Sequence, residues 1–139
     1  MHKGIGAIPY MIKPNDAELA ALLGKPTLTL EEMIREGKRL RDTGIEEIVI
    51  SLGGDGALFV NKDGVFKAEG LPVEVKSTVG AGDSMVAAMA YGQAKNLSRE
   101  EKLKLAIAMG AGSVMQSGTQ SPEAALVWEL AQQVKLRKL

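Results

Sequence analysis

The chain lacks cysteine altogether, and its only histidine is His2, next to the first residue. The absence of cysteine excludes disulfides and thiolate metal sites. The 17 basic and 17 acidic side chains cancel, so no overall field attracts nucleic acid or an anionic membrane. No apolar run approaches the roughly 20 residues that span a bilayer. We therefore expect a cytoplasmic protein without nucleic-acid or membrane partners, whose 139 residues form one α/β unit.

The most informative stretch is residues 77–84, in which Gly80 and Gly82 flank Ala81 and a helical pattern follows directly. Glycine lets the backbone approach a ligand closely and adopt positive φ angles at little cost. The first amides of a helix lack intrahelical acceptors and favour negative charge. The pattern therefore predicts an anion hole made by the amides of Gly80, Ala81 and Gly82.

Asp83 ends this anion loop and has two interpretations. A carboxylate at a helix start can be an N-cap that accepts amide hydrogen bonds. Alternatively, it can be a general base that accepts a proton from an attacking hydroxyl while the amides hold a phosphoryl group. The local pattern does not decide between them.

Three helix starts carry a polar cap followed three residues later by glutamate. Asn15 and Glu18 precede a helix that we expect to stop at Gly24, and this pair is typical of a capping box. The other two pairs, which predict helices over residues 30–42 and 99–115, are Thr29 with Glu32 and Ser98 with Glu101.

Residues 46–52 form a β-branched run that predicts a buried parallel strand. The following Gly53–Gly54–Asp55–Gly56 is either a tight turn or a ligand loop at the carboxyl end of that strand. An Asp-Gly turn at Asp63 predicts an antiparallel hairpin. We also expect a strand at residues 72–76, and a last helix with Pro122 in its first position and the cationic residues 135–139 at its end.

Residues 77–84 resemble the C-terminal signature of the ribokinase-like carbohydrate kinases of the phosphofructokinase-B type. Residues 13–19 resemble this family's Lys-Pro-Asn-x-x-Glu-Leu motif, and residues 51–56 resemble its nucleotide loop. The resemblance implies a three-layer αβα fold and ATP and Mg²⁺ as cofactors. It also implies that Asp83 is the catalytic base, and that Asn15 and Glu18 lie near the magnesium without binding it directly. The nucleotide-binding residues that it implies are Asn15, Ser51, Leu52, Gly53, Gly54, Asp55, Gly56, Gly82 and Asp83.

The form of the signature is most similar to the branch that phosphorylates phosphosugars. It implies conversion of fructose 1-phosphate to fructose 1,6-bisphosphate, with tagatose 6-phosphate as the alternative acceptor. Members of the family are longer, so we expect residues 1–139 to be a C-terminal portion without the substrate and lid region, and to form a homodimer. A nucleotide-binding module without activity stays open. A dinucleotide-binding oxidoreductase is disfavoured because no G-x-G-x-x-G follows an early strand.

Overall fold

The structure, a computed structural model, describes residues 9–74, 76, 81–116 and 122–139. It has the predicted α/β class. The strands are β1 (Met11–Ile12), β2 (Glu47–Ser51), β3 (Ala57–Asn61), β4 (Gly64–Ala68) and β5 (Leu136–Lys138). The helices are α1 (Asp16–Leu22), α2 (Leu30–Asp42), α3 (Ala81–Ala94), α4 (Arg99–Val114) and α5 (Ala124–Gln133).

The strands form one mixed sheet in the order β1-β2-β3-β4-β5. Strands β1 and β2 are parallel, with Met11 opposite Glu47 and Ile12 opposite Ile48. Strands β3 and β4 are sheet neighbours joined only by Lys62 and Asp63, as the Asp-Gly turn predicts. The sequence thus correctly predicted both the parallel strand and the hairpin.

The chain divides into two compact units, and the first comprises the described residues up to Leu52, Leu58–Phe66 and Lys138–Leu139. Its core consists of aliphatic side chains of β2, β3 and the flanking helices, and Ile48, Ile50 and Leu58 are fully buried. Helix α2 packs closely here, because a Cβ on Gly37 would lie 2.8 Å from Val60 Cγ2. A glycine at this position therefore permits the close approach.

Helix α2 begins with the predicted capping box. Thr29 Oγ1 accepts a hydrogen bond from the Glu32 amide at 3.1 Å, and Glu32 Oε1 accepts one from the Thr29 amide at 2.9 Å. Lys25 also donates a hydrogen bond to Glu32 Oε2. These contacts, first Lys25 and then the Thr29 amide, lower the pKa of the Glu32 carboxyl from 4.5 to about 2.

Because folding lowers the pKa of Glu32, its contribution to stability is complete above pH 4.5 and is lost as the pH falls towards 2. Glu32→Gln removes this ionisation. We expect the difference in unfolding free energy between the wild type and this variant to stay constant from pH 6 to about pH 5 and to shrink from there to pH 2.5. Urea titrations over this range measure it, and other carboxylates cancel in the difference. A difference that stays constant with pH would contradict the assignment.

The second compact unit comprises Gly53–Ala57 and the described residues of Lys67–Arg137. Helix α3 packs against α4, and α4 packs against α5. Helix α4 begins with the predicted capping box, since Ser98 Oγ accepts a hydrogen bond from the Glu101 amide at 3.2 Å. Gly112, inside α4, lies against Pro122, whose Cβ would be 3.0 Å from a Cβ at this position. The proline contact therefore accounts for a glycine in the helix interior.

Two predicted elements and the start of one helix are wrong. Residues 72–74 and 76 are not in a strand, and the amide of Val73 donates to the carbonyl of Leu71 at 2.9 Å, two residues back in the chain. The cationic tail is not a helix end but contains β5, where the Leu139 amide donates to Val65 O at 2.8 Å. Pro122 also precedes its helix instead of opening it, because α5 begins at Ala124.

The helices formed by the described residues are too short or too polar to cross a membrane.

Candidate functional site

In the first unit, Asn15 lies beside Ser51 at the carboxyl ends of β1 and β2. The Ser51 amide donates to the Pro14 carbonyl at 3.0 Å, and an isolated parallel bridge joins Asn15 to Ser51. Both residues follow the carboxyl ends of parallel strands, the edge at which open α/β sheets bind ligands. Two of the predicted nucleotide residues therefore share one edge of the sheet.

Asn15 and Glu18 form the predicted capping box at the start of α1. Asn15 Oδ1 accepts from the Glu18 amide at 2.7 Å, and Glu18 Oε1 accepts from the Asn15 amide at 2.9 Å. The second oxygen of Glu18, an exposed side chain, has no hydrogen-bond partner among the described residues. Asn15 and Glu18 thus cap α1 and still leave a carboxylate oxygen available.

No cluster of three or more His, Cys, Asp or Glu side chains that could hold a metal occurs within residues 9–74, 76, 81–116 and 122–139. Mg²⁺ in phosphate-transferring sites keeps several waters and needs only one or two carboxylates in addition to the substrate phosphates. A single exposed carboxylate oxygen on Glu18 fits that kind of site and does not fit a cage made only of protein ligands.

Substitutions at Asn15 separate its capping role from a role at the nucleotide. Asn15→Ala should lower the unfolding free energy by about 1 kcal/mol, whereas Asn15→Ser should keep the cap and change it by only a few tenths. If the amide also acts near the phosphates, Asn15→Ser should still weaken Mg-ATP binding. Urea denaturation and calorimetry of both variants measure the two effects. Unchanged Mg-ATP binding in Asn15→Ser would leave Asn15 with a capping role only.

The loop after β2 is a short 3-10 turn over Gly53–Asp55. Gly53 and Gly56 have φ angles of +61° and +98°, which favour glycine, and the Gly56 amide donates to Gly53 O at 3.2 Å. Gly56 is also enclosed, because a Cβ there would lie 1.9 Å from Ala68 O. Residues 53–56 therefore form a tight turn, one of the two alternatives for this stretch, and its backbone favours glycine at positions 53 and 56.

Leu52 belongs to the predicted nucleotide residues because of its place in the motif. Its side chain packs against the apolar core of the first unit. Leu52 is half-buried, and we assign its predicted role to its backbone groups because its side chain packs against that core. Nothing in the sequence indicates that Ser51 is tied to Pro14, because that contact joins segments far apart in the chain.

In the second unit, α3 begins at Ala81, and Gly82 and Asp83 follow in its first turn. The first amides of a helix lack intrahelical acceptors, and the predicted anion hole uses those of Ala81 and Gly82. Gly80, the remaining predicted donor, lies outside the described residues, as do residues 77–79. The N-cap interpretation of Asp83 is wrong, because Asp83 is the third helical residue and not the residue before the helix.

The Asp83 side chain is exposed, and within the described part of the chain it has no hydrogen bond or ion pair. A carboxylate in the first turn of a helix is stabilised by the helix dipole. It is also accessible to a hydroxyl group from solution. The site residues therefore form two sets: Asn15, Glu18, Ser51 and Leu52 in the first unit, and Gly53–Gly56 with Ala81–Asp83 in the second.

Comparison with known proteins identifies relatives of this chain. The chain is 43% identical over 134 residues to the 1-phosphofructokinase of Haemophilus influenzae. This match covers 96% of this chain and 43% of that protein. The crystal structure of a putative phosphofructokinase from Staphylococcus aureus matches it with a TM-score of 0.86 at 33% identity. That match covers 94% of this chain and 42% of the other.

Arabidopsis thaliana ribokinase complexed with ribose and ATP matches with a TM-score of 0.77 at 28% identity, over 88% of this chain and 40% of the other. The chain thus has a ribokinase-like fold and spans less than half the length of these relatives. The family model of the pfkB family carbohydrate kinases matches residues 1–126. The chain therefore belongs to the pfkB family of carbohydrate kinases.

Proposed function

We propose that this chain provides the C-terminal, nucleotide-binding and base-carrying portion of an ATP-dependent phosphosugar kinase. The observation that carries the proposal is the exposed carboxylate of Asp83 in the first turn of α3, directly after Ala81 and Gly82 at the start of that helix. Phosphoryl transfer needs these two functions together, a proton acceptor and donors for developing negative charge. The cytoplasmic location and the homodimer remain predictions that go with this proposal.

The proposed reaction begins when Asp83 accepts the proton of the acceptor hydroxyl. The hydroxyl oxygen then bonds to the γ-phosphorus of ATP, and the bond from that phosphorus to the oxygen of ADP breaks. The amides at the start of α3, with that of Gly80, donate hydrogen bonds to the transferring phosphoryl group. The loss of one such donor typically costs about 10²–10³-fold in rate.

The remaining predicted residues bind and orient the nucleotide. Ser51, Leu52 through its backbone, and Gly53–Gly56 are proposed to line ATP. Glycine at positions 53 and 56 allows the positive φ angles that the loop has at these two residues. Asn15 and Glu18 would hold Mg²⁺ through its bound waters, and the ion would neutralise charge on the phosphate oxygens.

The proposed acceptor is fructose 1-phosphate, which becomes fructose 1,6-bisphosphate. The name of the Haemophilus influenzae relative supports it over tagatose 6-phosphate. The test uses a chimera in which this chain replaces the matched segment of that relative. Because the rest of the chimera comes from that relative, its turnover of fructose 1-phosphate tests whether this chain supplies the nucleotide site and the base. We expect kcat/KM for fructose 1-phosphate to lie within about tenfold of the relative's own value, a difference of at most about 1.4 kcal/mol in transition-state binding. No turnover of either sugar, or a higher kcat/KM for tagatose 6-phosphate, would contradict the proposal.

A nucleotide-binding module without activity is the second candidate, because the chain matches only 43% of its relative's length. The chimera separates the two candidates. If it binds Mg-ATP but transfers no phosphate to either sugar, the binding role alone stands.

A further inference from the structure

The exposed side of α3 is apolar except for Gln93 and for Asp83 in its first turn. We call this face the α3 stripe and define it as the exposed residues Val86, Ala87, Ala90, Tyr91 and Ala94. Val86 is 38% exposed and Tyr91 is 47% exposed. Their spacing of three and four residues places all five on one side of the helix. No charged side chain occurs between Asp83 and Lys95.

The opposite side of α3 is already used within the second unit. Met85, Ala88, Met89 and Gly92 are buried, and a Cβ on Gly92 would lie 2.6 Å from Lys102 Cγ of α4. Helix α3 therefore has apolar residues on its exposed side as well as on its buried side, which is typical of a helix buried on both sides. Its α3 stripe has no cover among the residues that the structure describes.

Helix α2 shows what a solvent-facing helix surface looks like in the same protein. Its exposed residues include Glu31, Arg35, Lys38 and Arg39, all of them charged. A continuous exposed apolar face of the kind on α3 marks an interaction site. The α3 stripe is therefore a surface for another polypeptide.

The position of Asp83 indicates which polypeptide covers the α3 stripe. It is exposed and shares the face of the α3 stripe, one turn before Val86 and Ala87. If Asp83 is the base, the acceptor hydroxyl must come within about 3 Å of its carboxylate, so the sugar must be held over this same face. More than half of the Haemophilus influenzae relative has no counterpart here and is available for that task.

We infer that the α3 stripe is the docking surface for the part of the kinase that holds the acceptor phosphosugar. The inference rests on the proposed function, since it uses Asp83 as the base. The docked part then completes the site and covers the apolar side of α3.

Because the chain has no cysteine, a single introduced thiol reports on one position. Ala90→Cys places it in the α3 stripe, and Ala125→Cys, at an exposed position of α5, is the matched control. Each is prepared in the 139-residue chain and in the chimera, with any cysteine of the Haemophilus part replaced by serine. The rate of maleimide labelling is measured for each, with the denatured chimera as the reference for full access.

We expect labelling at position 90 to slow by at least about tenfold in the chimera, relative to both the chain alone and the denatured chimera. Labelling at position 125 should not slow in the chimera relative to the chain alone. Equal labelling at the two positions in the native chimera would overturn the inference. Protection at position 90 in the chain alone that increases with protein concentration would also overturn it, because a second copy would then cover the surface.

Phosphorylation of fructose 1-phosphate by the cysteine-free chimera separates this inference from the proposed function. Protection at position 90 without turnover would support the docking surface and contradict the proposed function. Turnover with a fully accessible position 90 would support the function and overturn the docking surface.

Discussion

Asp83→Asn in the chimera is expected to lower kcat by about 10²–10⁴-fold while Mg-ATP binding is retained. Asparagine has nearly the same shape but cannot accept the proton of the acceptor hydroxyl. Asp83 lies in the first turn of α3, and no hydrogen bond of its side chain occurs among the described residues. A coupled assay that follows ADP release measures kcat, and calorimetry measures Mg-ATP binding.

Asp42→Asn is the matched control, since Asp42 is an exposed carboxylate at the end of α2 and has no proposed role in the reaction. It should leave kcat unchanged. If Asp83→Asn lowers the rate no more than Asp42→Asn does, Asp83 is not the base. The carboxylate would then have only its structural role in the first turn of α3.

Gly56→Ala is expected to lower the unfolding free energy by about 3–5 kcal/mol, the sum of backbone strain and overpacking. The φ angle of +98° disfavours any other residue. The new Cβ would also lie 1.9 Å from Ala68 O and 2.8 Å from the Glu69 carbonyl carbon. These are backbone atoms, so a side-chain rotation cannot relieve the clash. Urea denaturation of the 139-residue chain measures the loss.

Gly24→Ala isolates the backbone component, because Gly24 has a φ angle of +68° and a Cβ added there would meet no atom within 4 Å. It should cost only about 1–2 kcal/mol. If both substitutions cost the same, the contact of Gly56 with residues 68–70 does not contribute to the stability of the loop at residues 53–56.

The elements that the sequence predicted well are those determined by neighbouring residues. Each of the three capping boxes joins residues three apart, so the starts of α1, α2 and α4 could be located from the sequence alone. The Asp-Gly turn likewise determined the hairpin. The local pattern could not decide whether Asp83 caps a helix, because that depends on where the helix begins within residues 80–83.

The wrong predictions depend on contacts between distant segments. Alternating residues at 72–76 suggested a strand, but a strand exists only where another strand pairs with it. Conversely, the short cationic tail becomes β5 because Val65, far away in the sequence, accepts a hydrogen bond from Leu139. In the same way, the packing of Leu52 against the core and the pairing of Asn15 with Ser51 could be seen only in the tertiary structure.

The central claim is that this chain itself carries the nucleotide-binding part of a kinase. Calorimetric titration of the 139-residue chain with Mg-ATP, and with NAD in a matched run, tests it most directly. We expect Mg-ATP to bind at one site, Asp83→Ala to bind it as well, and NAD to bind more weakly or not at all. Preferential binding of NAD, or no heat from Mg-ATP, would contradict the claim.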